Sequence, residues 1–200
     1  MDRPKTTKVR LLEAACAIFS EKGYRDATVA EICEAADANI ASVNYHFGSK
    51  EALYDAVWHH AFRLASEAFP IDGQLPPDPW LYDYLYSFAY ALLHRVFSET
   101  ETGWFTMLLY RETASPTLAL DRIATEALRP QSEFLAKALQ AATGASIDEA
   151  ELRLCMHSII GQCAFYNFSR PLRERVLGRK TMDEEEIERI ARHRRGKSAT

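Results

Sequence analysis

The stretch from Thr28 to Lys50, TVAEICEAADANIASVNYHFGSK, constrains the fold of this chain more than any other. Thr28 and Glu31 have the Thr-x-x-Glu spacing of a capping box, in which two side chains satisfy free N–H groups at a helix start. Val29, Ile32, Cys33 and Ala36 then fall on one face at helical spacing. Asp37 stands where the chain must turn, and Asp tolerates the backbone angles of a tight turn better than most residues. A second short helix is predicted from about Asn39 to His46, with Ile40, Val43 and Phe47 able to point inward. Asn39, Ala41, Ser42, Asn44, Tyr45 and His46 are small or polar and free to face a partner. Two short helices with a tight turn and a polar outer face fit a reader of the DNA major groove.

The rest of the chain also reads as helix. Val9, Leu12, Cys16 and Phe19 place a first helix over about 6–22, and Gly23 is suited to end it. Ser49 can cap a helix running to about Phe69, before the Pro- and Gly-rich stretch 70–79 breaks it. Asp78-Pro79 suits the start of an aromatic fifth helix reaching about Glu99. A sixth helix covers about 103–113. A long seventh follows Ser115-Pro116 to Thr143-Gly144, with Pro130 expected to kink or break it. An eighth runs to about Ser169, capped by Ser146 and Glu149 and ended by Pro171. A ninth runs from about Met182 to Arg195, capped by Thr181 and Glu184. No stretch alternates with period two between turn signals, so strands are not expected.

The net charge of −4 is unevenly spread. Residues 1–50 carry 7 Lys+Arg against 7 Asp+Glu, residues 51–169 carry 7 against 15, and residues 170–200 carry 10 against 6. The short head is therefore less acidic than the body, and Arg3, Lys5, Lys8 and Arg10 at its start suit phosphate contact. No run approaches the ~20 apolar residues that span a bilayer. The first ten residues hold no apolar leader core, so the expected location is cytoplasmic. Four scattered cysteines without a Cys-x-x-Cys pair are expected to stay reduced. No zinc motif, phosphate loop or Ser-His-Asp constellation is present, so neither a metal nor a cofactor is expected.

From about Arg10 to Phe62 the chain resembles the DNA-binding domain of the TetR family of bacterial transcriptional regulators, most clearly through AACAIFSEKGYRDATVAEICEAADANIASVNYHFGSKEAL. It departs at Asp37, where the family usually has Gly. YRETASPTLALDRIATEALRP (110–130) and HSIIGQCAFYNFSRP (157–171) resemble the C-terminal domain of one branch, typified by the regulator of cefoperazone and chloramphenicol sensitivity. The resemblance implies an all-α fold of about nine helices. A helix-turn-helix DNA-binding domain would occupy 1–50, with the fourth helix, 49–69, connecting it to a ligand-binding and dimerisation domain over 51–200. It further implies a homodimer, a double-stranded DNA operator with two half-sites, and release of that operator by a small-molecule effector. Carried over position by position, Asn39, Ile40 and Ala41 would face bases, Ser42 and Tyr45 base or phosphate, and Asn44 and His46 the backbone. Thr28 and Lys50 would meet phosphates. The basic ending ARHRRGKSAT departs from the apolar helix usual in that branch, which bears on any share of the ninth helix in a dimer.

In the body, Phe88, Leu92, Trp104, Leu108, Arg111, His157, Gly161, Phe165 and Tyr166 are candidates to line a ligand site between helices. Arg111 and Glu112 stand out as charges on an apolar helix. Leu152, Cys155, Met156, Ile159, Ile160, Cys163 and Phe165 make the eighth helix apolar around much of its circumference. One side would pack on its own subunit and another on a second copy. The expectation is a homodimeric regulator, most simply a repressor, and not an enzyme. Two alternatives compete with it: a catalytic body using Glu112, His157 and Tyr166, and an interaction module with a vestigial head.

Overall fold

A computed structural model of the chain describes residues 5–143, 147–169, 172, 175, 176, 178 and 182–192. Every regular element among the described residues is helical. In order these are α1 (Thr7–Asp26), α2 (Val29–Ala35), α3 (Ile40–Phe47), α4 (Lys50–Ala68), α5 (Leu81–Phe97), a 3₁₀ turn (Glu101–Gly103), α6 (Trp104–Ala114), α7 (Ala119–Arg122), a π-helical stretch (Ile123–Leu128), α8 (Arg129–Thr143), α9 (Glu149–Phe168) and α10 (Glu184–Arg192). None of the described helices is long and apolar enough to cross a membrane.

The helices pack into two compact units. One comprises Met1–Ala65 with Glu99–Ile123, the other Ser66–Ser98 with Ala124–Thr200. Packing therefore does not divide at residue 50. The reason lies in α4, whose Leu53, Tyr54, Val57, Trp58 and Ala61 are buried in the first unit. They share that core with Leu11, Ala15, Cys16 and Phe19 of α1. The buried stripe of α1 begins at Leu11, whereas Val9 stays 39% exposed. Burying Phe19, Ile32 and Leu53 stabilises this unit by about 1.5–3 kcal/mol each. Gly23 breaks α1 as the sequence suggested: its φ of 82° is left-handed, but one more turn follows before Ala27.

In the same unit α6 packs against α1. Glu112 is 1% exposed there and still fully engaged. Its carboxylate accepts from Tyr54 Oη at 2.7 Å, from Thr117 N at 2.9 Å and from Thr117 Oγ1 at 3.0 Å. Burial first, and this carboxylate second, push the Tyr54 phenol well above its usual pKa. One residue along α4, Asp55 pairs with Arg122 of α7 at 2.8 Å. Adjacent residues of α4 thus hold the C-terminal turn of α6 and the end of α7.

The second unit is centred on α5, which packs against α8, α9 and α10. Its aromatics are not one uniform core. Phe88 joins Leu135, Leu139 and Leu152, while Phe97 joins Cys163, Ile187 and Ala191. Tyr82, Tyr86, Tyr90 and His94 form a ladder at i,i+4 spacing, with successive ring centroids 6.3, 5.8 and 4.1 Å apart. Arg95 is buried and held by neutral oxygens. Its guanidinium donates to the Phe69 carbonyl and to Gln131 Oε1, and burial pulls its pKa down to about 10.

Several helix ends differ from the sequence reading. Asp83, not Asp78, serves the start of α5, accepting from Trp80 N at 2.8 Å. The long seventh helix is instead α7, a π-helical stretch and α8. Pro130 has no N–H for the carbonyl four residues back, so widening the preceding turn is the economical solution. Asp148 caps α9 through Glu151 N at 2.8 Å, and Asp183 caps α10 through Glu186 N at 2.8 Å. The caps expected at Ser146 and Thr181 lie outside the described residues, as do Gly144 and Pro171.

Candidate nucleic-acid interface

The α2–α3 pair is built by local chemistry before any tertiary contact is needed. Glu31 N donates to Thr28 Oγ1 at 3.2 Å, and Thr28 N donates to Glu31 Oε2 at 2.9 Å, so both halves of the capping box form. Lys22 pairs with Glu31 at 2.6 Å. That contact, then the Thr28 hydrogen bonds, hold the Glu31 carboxyl down to about 2. Asp37 makes the turn with a φ of 47°, the one positive-φ residue other than glycine among the described residues. Asn39 caps α3, its Oδ1 accepting from Ser42 N and from Ser42 Oγ, both at 2.9 Å. Gly48, at φ 85°, ends α3 and donates to Asn44 O at 3.0 Å and to Val43 O at 3.2 Å. Ser49 Oγ then accepts from Ala52 N at 3.1 Å to start α4.

Only part of α3 is anchored. Val43 is buried, and Phe47 and His46 are half-buried. Ile40, read as able to point inward or to face bases, is 56% exposed and does not reach the core. Ala41 and Asn44 are exposed, and Tyr45 is 84% exposed with its ring edge against His46. Asn39 and Ser42 bond each other, so a bidentate Asn39–adenine pair would require the cap to open. The Thr28 hydroxyl is likewise held, donating to Glu31 Oε2 at 2.9 Å. Lys50 Nζ rests 4.6 Å from the centroid of the Tyr24 ring, which keeps the cation at the start of α4.

The basic residues before this pair are less free than their spacing suggested. Lys5 Nζ pairs with Glu13 at 2.7 Å. Arg10 turns towards the α2–α3 turn, and Lys8 Nζ lies 5.8 Å from the Phe47 ring centroid. Arg3 lies outside the described residues.

Residues 11–57 match the bacterial regulatory proteins of the tetR family, and residues 81–197 match the C-terminal domain of the HTH-type transcriptional dual regulator CecR. The chain belongs to the TetR family, with a C-terminal domain of the CecR type. It is similar to the CecR of Shigella flexneri, with 29% identity over 191 residues, 92% of this chain and 85% of that one. Among solved structures it resembles the TetR family regulator PfmR of Thermus thermophilus, with a TM-score of 0.64 and 22% identity, covering 96% of this chain and 94% of that one. It also resembles AibR, solved in complex with isovaleryl coenzyme A and operator DNA, with a TM-score of 0.68 and 19% identity over 94% of this chain and 96% of that one. These structural likenesses carry the fold. Family membership makes the chain a DNA-binding transcriptional regulator and not an enzyme.

Within neither unit of this TetR-family regulator do the nine predicted ligand residues line one pocket. Trp104, Leu108 and Arg111 belong to the first unit, where Leu108 is core. Arg111 donates through Nη2 to the Glu21 carbonyl, and its side chain lies against Gly23, where a Cβ would sit 3.7 Å away. It is thus a cap on α1. Phe88 is core in the second unit and Leu92 is packed between its two clusters. Only His157, Gly161, Phe165 and Tyr166 come together. With Ser158, Gln162, Arg189 and Ile190 they line an open groove of about 780 Å³ on α9 and α10.

That groove belongs to a long uncovered face. Leu152 and Cys163 of α9 are buried, and Cys155, Met156, Ile159 and Ile160 pack on the core. Leu154, Phe165 and Phe168 are 67%, 65% and 51% exposed. Leu154 and Phe168 were missed in the sequence because apolar residues are spread around much of the helix, so periodicity did not separate the packed face from the exposed one. Asp83, Asp148 and Arg10 were missed for another reason: their roles depend on where neighbouring backbone ends.

Proposed function

We propose that this regulator is a homodimeric repressor that holds an operator with two α3 helices and releases it when a small molecule binds the body. The observation that carries the reading is the outer face of α3. Ile40 and Tyr45 stay exposed although the head around them has a closed core. Large side chains left in water on a helix-turn-helix of this family are most simply explained by a base-reading role. Tyr45, Ala41 and Asn44 are then the base-side group. Lys50 and the N-terminal turn of α2 at Thr28 meet phosphates, and His46 supports Tyr45. The division of labour assigns DNA binding to 1–50 and ligand binding and dimerisation to 51–200, in the cytoplasm.

The second copy would sit on the α9 face. Three large apolar side chains on one described helix, beside a groove reaching α10, support an isologous pairing there. A dimer also fixes the separation of two α3 helices, which half-site spacing requires. A ligand that binds the DNA-incompetent arrangement better shifts the population and releases the operator. The relative's description as a dual regulator favours a second reading, in which the bound dimer activates at some sites and represses at others.

The test is fluorescence anisotropy with the promoter beside the protein's own gene, against random duplex DNA at physiological salt. Preference for the promoter supports the reading. Equal affinity for both sinks it. Transcription measured with and without the gene then separates repression from dual control.

A further inference from the structure

Arg10 was grouped by spacing with the cations that suit phosphate contact, but its guanidinium faces the protein. Nε donates to the Ala36 carbonyl at 2.9 Å, Nη2 to the Asp37 carbonyl at 3.1 Å, and Nη1 to the Lys5 carbonyl at 3.4 Å. Two carbonyls just before Ala36, those of Cys33 and Glu34, are served by backbone. Ala38 N donates to Cys33 O at 2.9 Å and Asp37 N to Glu34 O at 3.2 Å. Ala36 and Asp37 present their carbonyls beyond the reach of that ladder, at the residue whose φ of 47° makes the turn. Arginine's rigid fork suits two neighbouring carbonyls, and a cation is favoured where helix carbonyls end.

We propose that Arg10 is the positioning residue of the DNA-reading pair. It ties α1 to the α2–α3 turn, holds Asp37 in its left-handed conformation, and so sets the angle at which α3 presents Tyr45. The guanidinium that looks like a phosphate contact therefore acts through the turn. This rests on the DNA-binding reading above, and the two fail in distinguishable ways.

The experiment uses the full-length protein and compares wild type with Arg10→Ala, Arg10→Lys and Arg10→Ala/Asp37→Gly. Binding to the promoter duplex is measured by anisotropy across a KCl series. Removing a charge-assisted cap on two carbonyls is expected to weaken Arg10→Ala binding about tenfold or more. The slope of log affinity against log salt should stay unchanged, because no phosphate contact is lost. Arg10→Lys should rescue little, since an ammonium cannot bridge both carbonyls in the same fork geometry. Asp37→Gly should recover part of the loss, because glycine adopts the turn without side-chain strain. A salt slope reduced by about one would mark a phosphate contact and overturn the proposal. Unchanged affinity would do the same.

Amide hydrogen exchange in the absence of DNA decides the structural half by itself. Arg10→Ala should speed exchange at Asp37 and Ala38 while leaving the core amides of α1 and α4 protected. Unchanged exchange there overturns the proposal even if DNA affinity falls. A wild type that binds no duplex overturns the DNA reading, and with it the functional half of this one.

Discussion

Among the described residues, α3 and α9 each expose large side chains, and the two faces differ in kind. On α3 the open residues are Ile40, Ala41, Asn44 and Tyr45, on a helix of 8 residues with Lys50 just beyond it. On α9 they include Leu154, Phe165 and Phe168, on a helix of 20 residues. The first is short, mixed in polarity and close to a cation, and suits a groove edged by phosphates. The second is long, sets three large apolar side chains beside polar groups such as His157 and Gln162, and suits a surface like itself. On the proposed reading, recognition and pairing fall to separate elements, so each can be disabled alone.

The largest expected effect comes from breaking the apolar face. Leu154→Asp with Phe165→Asp should convert the proposed dimer to monomer in sedimentation experiments. Operator affinity should fall about 100-fold or more, because the second half-site no longer benefits from tethering. A variant that stays dimeric removes α9 from the interface. Next, Tyr45→Ala should cost about 1–3 kcal/mol of operator binding and leave the oligomeric state untouched. If it dissociated the dimer, the separation of roles between the two faces would fail. Lys50→Ala should weaken binding to all sequences alike and lower the salt slope by about one. A loss confined to one operator sequence would count against a phosphate role.

Two smaller effects separate the two units by pH. On α5, burial holds the His94 pKa below its ordinary 6.5, against the opposing pull of Glu184 and Glu188. The folded state therefore binds that proton less well than the unfolded state. Its contribution to stability is full above pH 6.5 and declines as pH falls below it. The groups around the ring are Glu184 Oε1, 3.3 Å from Nε2, and the rings of Phe69 and Tyr90. Hydrogen exchange compared at about pH 5.5 and about pH 7.5 should thus loosen α10 first at the lower value, and His94→Gln should flatten that response. At the head, the Glu31 carboxyl is held down to about 2, so its share of the α2 cap persists above 4.5 and fades as pH falls towards 2. NMR titration of Glu31 should show this, with Lys22→Ala moving the midpoint upward. A common midpoint for α2 and α10 would contradict the assignment of separate groups.

The helix-turn-helix was legible because its signals are local. The Thr28–Glu31 box and the Asp37 turn act within a few residues of themselves, so reading them in order places α2 and α3 nearly correctly. How the ligand candidates pack was poorly legible for the opposite reason. Trp104, Leu108 and Arg111 look like pocket residues by type. The Glu21 carbonyl that Arg111 caps lies 90 positions away in the chain, and no periodicity reports that. Glu112 stood out as a charge on an apolar helix, and that signal was sound, but its partner Tyr54 lies 58 residues earlier.

The sequence by itself determined that the chain is helical and where its helix-turn-helix lies, because capping, turn chemistry and helical periodicity are written in short stretches, and the resemblance of residues 10–62 supplied the family. Only the tertiary structure decided which charges are engaged and by what. Lys5 is paired, Arg10 and Arg111 cap backbone from other elements, and Glu112 clamps α4. The physical reason is that an unpaired backbone carbonyl or a buried carboxylate takes whatever donor the packing brings nearest, and sequence distance does not limit that choice.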